Sequence, residues 1–172
     1  MTKFEAVQNK ISTKASLLSK VITWKAENQQ VVFTNGVFDI IHRGHIEYLA
    51  QAADCGDKFI VAVNADSSVK RLGKGDSRPL QDENSRALII AALDFVDAVV
   101  VFDDDTPFDL IAELLPNVLI KGGDYDADCN DASDKKYIVG SDVVKNNQGK
   151  VAVIQFVKGY STTQIEQKIK SS

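Results

Sequence analysis

At 172 residues with 44% apolar content and no long polar tract, the chain is long enough to bury a sizeable core and reads as one compact domain over 1–172. A formal net charge of -4 excludes the broad basic footprint that duplex nucleic acid requires. The start MTKFEAVQNK has no apolar signal-peptide core and ALIIAAL at 87–93 is too short to span a bilayer, so a cytoplasmic protein with no membrane partner is expected.

In chain order, a leading helical segment occupies 1–28. Leu17, Leu18, Val21, Ile22 and Trp24 recur at helical spacing over 13–27 after Ser12 or Thr13 as caps. Short apolar runs follow as buried strands: VVFT at 31–34, FIVAV at 59–63, AVVVF at 98–102, VLI at 118–120 and VAVI at 151–154. Helical periodicity fills the gaps at 44–54, 66–72, 83–94, 107–115 and 141–148. Continuous apolar strands alternating with helices predict a doubly wound, open parallel α/β sheet of about five strands, Rossmann-like, with ligands at the strands' carboxyl ends. Residues 127–136, ADCNDASDKK, show no core face and read as a mobile loop or surface excursion within a 126–139 insert. Cys55 and Cys129 are far apart and fit no metal or CxxC spacing, which suggests two reduced thiols.

The chemistry gathers in NGVFDIIHRGH, residues 35–45, which holds both histidines of the chain. Asn35 and Gly36 end a strand and allow backbone to approach a ligand, and Gly44 opens a helix whose first amides are unpaired, so this turn is an anion site. His42 and His45, three residues apart, can donate to phosphate oxygens as charge builds in a transition state. A helix cap with two surface histidines is the plainer alternative. Zinc is disfavoured because no third or fourth His or Cys stands at ligand spacing. Gly159-Tyr160-Ser161-Thr162-Thr163 precedes a last short helix, where Ser161 and Thr162 either hold phosphate or simply cap. Lys121 with Gly122, Gly123 and Asp124 follows the fourth strand, where the lysine offsets negative charge and the glycines admit a base or ribose. Arg78 and Arg86 flank a proline turn and suit a sugar phosphate or triphosphate, with salt bridges as the alternative.

Gly36, Phe38, Asp39, His42, Gly44 and His45 together resemble the GxFDxxHxGH signature of the cytidylyltransferase-like nucleotidyltransferases. Within that superfamily the chain is similar to the adenylyltransferase branch of the ADP-heptose synthases at VAVNADSSVKRL, SRPL, SRALIIAALDFVDAVV, DTPFDLI, LIKGGDY, GSDVV and GYSTT. The resemblance implies AMP transfer from ATP to D-glycero-β-D-manno-heptose 1-phosphate, giving ADP-heptose for lipopolysaccharide. It assigns His42, His45 and Lys121 to catalysis. Asn35, Gly36, Phe38, Gly44, Gly122, Gly123, Asp124, Tyr160, Ser161 and Thr162 are assigned to the nucleotide, and Asp39, Arg78 and Arg86 to the acceptor. Magnesium is expected to arrive with ATP, bridging phosphate oxygens without a dedicated protein cage.

Departures from that branch bear on the finer reading. Val37 replaces a frequent Cys or Thr, and the stretch 126–139 is longer than usual. The motif resembling RTEGISTS in polyol-phosphate cytidylyltransferases is here FVKGYSTT, without its arginine, which weakens an assignment to CTP. No ribokinase-like part is seen, so a separate heptose kinase is expected, and a homo-oligomer is compatible with the sequence. The alternatives are a cytidylyltransferase for a polyol phosphate such as glycerol 3-phosphate, or a non-catalytic nucleotide-binding module.

Overall fold

The structure, a computed structural model, describes residues 1–73, 78–157 and 159–171. Ser77 of the SRPL match and Lys158 of the FVKGYSTT match lie outside them. Six parallel strands form one sheet in the order β1-β4-β3-β2-β5-β6. They are β1 Ile11–Ser12, β2 Val31–Gly36, β3 Lys58–Asn64, β4 Ala98–Phe102, β5 Val118–Gly122 and β6 Lys150–Ile154. The helices are α1 Lys3–Gln8, α2 Lys14–Ala26, α3 Arg43–Ala53, α4 Asp66–Arg71, α5 Glu83–Ala91, α6 Phe108–Leu114, α7 Ser141–Asn146 and α8 Thr162–Lys170.

Successive strand residues point to opposite faces, and both faces are covered. Val31, Phe33, Ile60, Ala62, Val100 and Leu119 pack under α2, α6 and α7 through Leu17, Val21, Leu110, Ile111, Leu114 and Val144. Their neighbours Val32, Phe59, Val61, Val63, Val99 and Ile120 pack under α3 and α5 through Leu49, Ala52, Ala87 and Ile90. Each such aliphatic side chain contributes roughly 1.5–3 kcal/mol on burial, which explains why the strands read as unbroken apolar runs.

The expected sheet of about five strands gains a sixth, inside the segment expected to be wholly helical. Thr2 and Glu5 form a reciprocal capping box that starts α1, and Ile11 and Ser12 then pair with Val99 and Val100 as an edge strand. Two residues are too few for a periodic signal. Thr13, accepting from the Ser16 amide, is the cap of α2. Residues 127–136 bury no side chain, as a surface excursion would, whereas Ile138, later in the 126–139 stretch, is fully buried in the core.

Strand order reverses at β2, which has β3 on one side and β5 on the other. The carboxyl ends of β2 and β5 therefore part the loops of the two helical layers, and a crevice opens between them.

Candidate active site

A cleft of about 980 Å³ occupies this switch point. It takes in Asn35 and Gly36 at the end of β2, Phe38 and Asp39 just after it, His45 and Tyr48 on α3, Lys121 and Gly122 at the end of β5, and Thr162 and Thr163 at the start of α8.

The signature turn is shaped by contacts among its own residues. Phe38 adopts a left-handed backbone, φ 52°, at 5% exposure, a conformation that costs free energy and that the surrounding packing must enforce. Its ring lies on Gly36, where an added Cβ would sit 2.9 Å from it, and meets the His45 ring edge-on at 5.6 Å. Behind it Asp39, 4% exposed, accepts the Leu80 and Gln81 amides and the Arg78 guanidinium at 2.8 Å. Those donors hold its carboxyl below the usual range against the opposing effect of burial. Asp39 thus ties the signature turn to the 78–81 loop.

His42 stands at the N-cap of α3 with no side-chain capping bond, and its carbonyl accepts the His45 amide at 2.9 Å. The two imidazoles stack with centroids 4.0 Å apart. An alanine methyl at Gly44 would come 3.1 Å from the His42 ring and 3.2 Å from Tyr160 Cβ, so the missing side chain is what lets ring and chain meet there. Burial, reinforced by His42, pushes His45 down to about 4, and burial lowers His42 as well. Both rings therefore favour the neutral form. The Nδ1 atoms of His42 and His45 are buried without a hydrogen-bond partner among the described residues, a costly arrangement that a ligand would relieve.

Across β2, Lys121 donates to Asn35 Oδ1 at 2.7 Å and lies 5.6 Å from the Tyr125 ring centroid. Gly122 and Gly123 admit the half-exposed Phe156 ring, which an alanine at either position would strike at 2.4 or 2.8 Å. Tyr48 packs edge-on to Phe156 at 5.8 Å and reaches Thr34 at 2.6 Å. Sequence patterning gave no sign of either aromatic as a cleft residue, because Tyr48 sits within an ordinary helical period and Phe156 in a loop.

The remaining expected residues divide. Thr162 lines the cleft, whereas the Ser161 hydroxyl accepts the Gln164 amide at 3.1 Å and caps α8. Tyr160 and Ser161 belong to a shallow depression of about 230 Å³ on the outer side of that helix. Asp124 is exposed and does not line the cleft. Arg78 does, bridging Asp39 and Glu166 of α8 at 2.8 and 2.6 Å. Arg86, expected at the acceptor, is instead fully buried. It donates to the Gln81 and Val37 carbonyls and to the Asp66 carboxylate at 2.6 Å, a set of partners that holds loops together from behind the cleft.

Among the described residues no group of three His, Cys, Asp or Glu could hold a metal ion, and no helix is long and apolar enough to cross a membrane.

The cytidylyltransferase-like family matches residues 33–168. The bifunctional protein HldE of Wolinella succinogenes is 44% identical over 165 residues, covering 96% of this chain and 32% of that protein. HldE of Campylobacter jejuni subsp. jejuni serotype O:6 is 48% identical over 163 residues, with 95% and 32% covered. The chain thus spans about a third of the length of these curated relatives. A solved lipopolysaccharide core biosynthesis protein from Thermoplasma volcanium shares 29% identity at a TM-score of 0.57, covering 77% of this chain and 99% of that one. A pantoate-beta-alanine ligase from Francisella tularensis, 16% identical with a TM-score of 0.58, shares the fold over 93% of this chain and 76% of its own. With the family matched from β2 into α8, and with His45 of the signature lining the cleft at the switch point while His42 stacks on it from outside the lining, the chain belongs to the cytidylyltransferase-like family of nucleotidyltransferases.

Proposed function

We propose that the chain transfers AMP from ATP to a sugar 1-phosphate, D-glycero-β-D-manno-heptose 1-phosphate, releasing pyrophosphate and ADP-heptose. The similarity to the HldE proteins supports this choice of substrates. The observation that carries the chemistry is the pair of buried, unpartnered Nδ1 atoms on stacked imidazoles at the head of α3.

An acceptor phosphate oxygen attacks the α-phosphorus, the bond from that phosphorus to the α,β-bridging oxygen breaks, and pyrophosphate leaves in line. The acceptor is already an anion, so no general base is needed. The protein lowers the barrier by holding the partners and by placing donors where charge grows. His42 and His45 donate to α- and β-phosphate oxygens, the first amides of α3 add their own N–H groups, and Thr162 with Lys121 holds the rest of the triphosphate. Two stacked neutral imidazoles suit this task, since bound phosphate compensates any proton they take up. Magnesium bound with ATP would come as part of the substrate and would offset the negative charge of the phosphates.

The test is pyrophosphate release from the heptose 1-phosphate supplied with ATP or CTP in turn. Substitution of His42→Ala or His45→Ala should lower kcat by about two to three powers of ten, as loss of comparable fixed donors does. ATP should be strongly preferred, because a pocket that pairs adenine's edge leaves polar groups unmatched around cytosine. Equal use of CTP, or turnover of glycerol 3-phosphate with an inert heptose phosphate, would overturn the substrate assignment. Normal turnover in both histidine variants would overturn the mechanism.

A further inference from the structure

The cleft has two walls of different origin. One comes from the α3 side of the sheet, with His45, Arg78, Thr162 and Glu166; the other comes from the α6 and α7 side, with Asp105–Pro107 after β4 and residues of the 126–139 loop after β5. In-line displacement places the attacking oxygen, the phosphorus and the leaving oxygen on one line. If the pyrophosphate is held at the head of α3 and by α8, the acceptor must come from the opposite wall.

That wall is a built feature. The Asp126 amide donates to the Lys136 carbonyl at 3.0 Å, closing the loop on itself. The Asp131 and Asp134 carboxylates accept amides two residues on, at 2.9 and 2.8 Å. Ile138 is fully buried, and Gly140 at φ 80° packs so closely on Ile111 that an added Cβ would lie 2.9 Å away. The Tyr137 hydroxyl is fixed on Asp142 at 3.1 Å.

Among the described cations lining the cleft, Arg78 is engaged by two carboxylates and Lys121 by Asn35. Asp105, on the acceptor wall, is paired with Arg71 at 2.5 Å. Lys135 lies on the same wall, exposed and in no ion pair with an acidic side chain of the described residues. We infer that the 126–139 loop is the acceptor-binding wall and that Lys135 is a specificity-determining residue, its ammonium receiving the phosphate of the incoming sugar 1-phosphate. This rests on the reading of the chain as a sugar 1-phosphate adenylyltransferase.

The experiment is steady-state pyrophosphate release with ATP and the heptose 1-phosphate, comparing wild type with Lys135→Ala, Lys135→Arg and Lys136→Ala. Lys136 is also exposed and next in the chain but does not line the cleft, so its variant controls for net charge. Losing one charge-assisted contact should raise KM for the sugar phosphate about tenfold or more in Lys135→Ala, with KM for ATP within about twofold, recovery in Lys135→Arg and no effect in Lys136→Ala. An unchanged KM for the sugar phosphate in Lys135→Ala, or an equal rise for ATP or in Lys136→Ala, overturns the acceptor wall while leaving the reaction standing. Absence of turnover by the wild type with any sugar 1-phosphate overturns the reaction and the wall together.

Discussion

At the scale of single residues, folding itself drives the site's histidines towards the neutral form. Burial and the neighbouring His42 push His45 down to about 4, while an unfolded chain leaves it near 6.5. Between those values the unfolded state binds a proton that the native state refuses. The contribution is therefore fully present above pH 6.5 and is lost as pH falls towards 4, reaching about 3 kcal/mol for a shift of this size. Asp39, lowered from 3.8, adds its own loss only below that window. Urea unfolding at pH 7.5 and pH 4.5 checks this, with His45→Gln as the non-titrating partner. Wild type should lose markedly more stability than the variant, and parallel losses would show that His45 is not suppressed in the native state. Bound nucleotide should reverse the effect, since phosphate favours the protonated ring.

At the scale of elements, α8 is the least anchored part of the site. It buries none of its residues, and the Arg78 to Glu166 ion pair ties it to the 78–81 loop. Its first turn carries Thr162 and Thr163 into the cleft, so how well the helix starts governs where those hydroxyls stand. Ser161 is the cap that starts it. Ser161→Ala should cost about 1 kcal/mol of local order, felt as a rise in KM for ATP of roughly fivefold. Asparagine also caps well, so Ser161→Asn should keep KM near the wild-type value. Thr162→Val should raise it although the cap is intact. Kinetics of the three variants at saturating acceptor separate the roles. If Ser161→Asn is as impaired as Ser161→Ala, the hydroxyl itself meets phosphate.

At the scale of the whole molecule, the central strands and their helices were legible because two buried faces leave a continuous apolar run such as Val31 to Phe33, and the signature turn was legible because Gly, Asp and His stand there together. Ile11 and Ser12 were not, since a two-residue edge strand has no period. The burial of Ile138 was hidden because one apolar residue among polar ones sets no pattern. Arg86 was misplaced for a related reason: an arginine beside a proline turn reads the same whether it faces phosphate or the Gln81 and Val37 carbonyls. Its donors meet Gln81, Val37 and Asp66, which joins the signature turn after β2, the start of α4 and the approach to α5. Removing a fully buried guanidinium strands these acceptors, so Arg86→Met should destabilise the fold by on the order of 3 kcal/mol. Because Asp66 is a direct partner at 2.6 Å, the combination with Asp66→Ala should lose less than the two single changes summed, with a coupling of about 1 kcal/mol or more. Urea midpoints of the four proteins measure both quantities. Below the unfolding transition, KM for the sugar phosphate in Arg86→Met should stay within about threefold of wild type, since the side chain reaches no cleft surface. Wild-type stability combined with a large rise in that KM would return Arg86 to the acceptor.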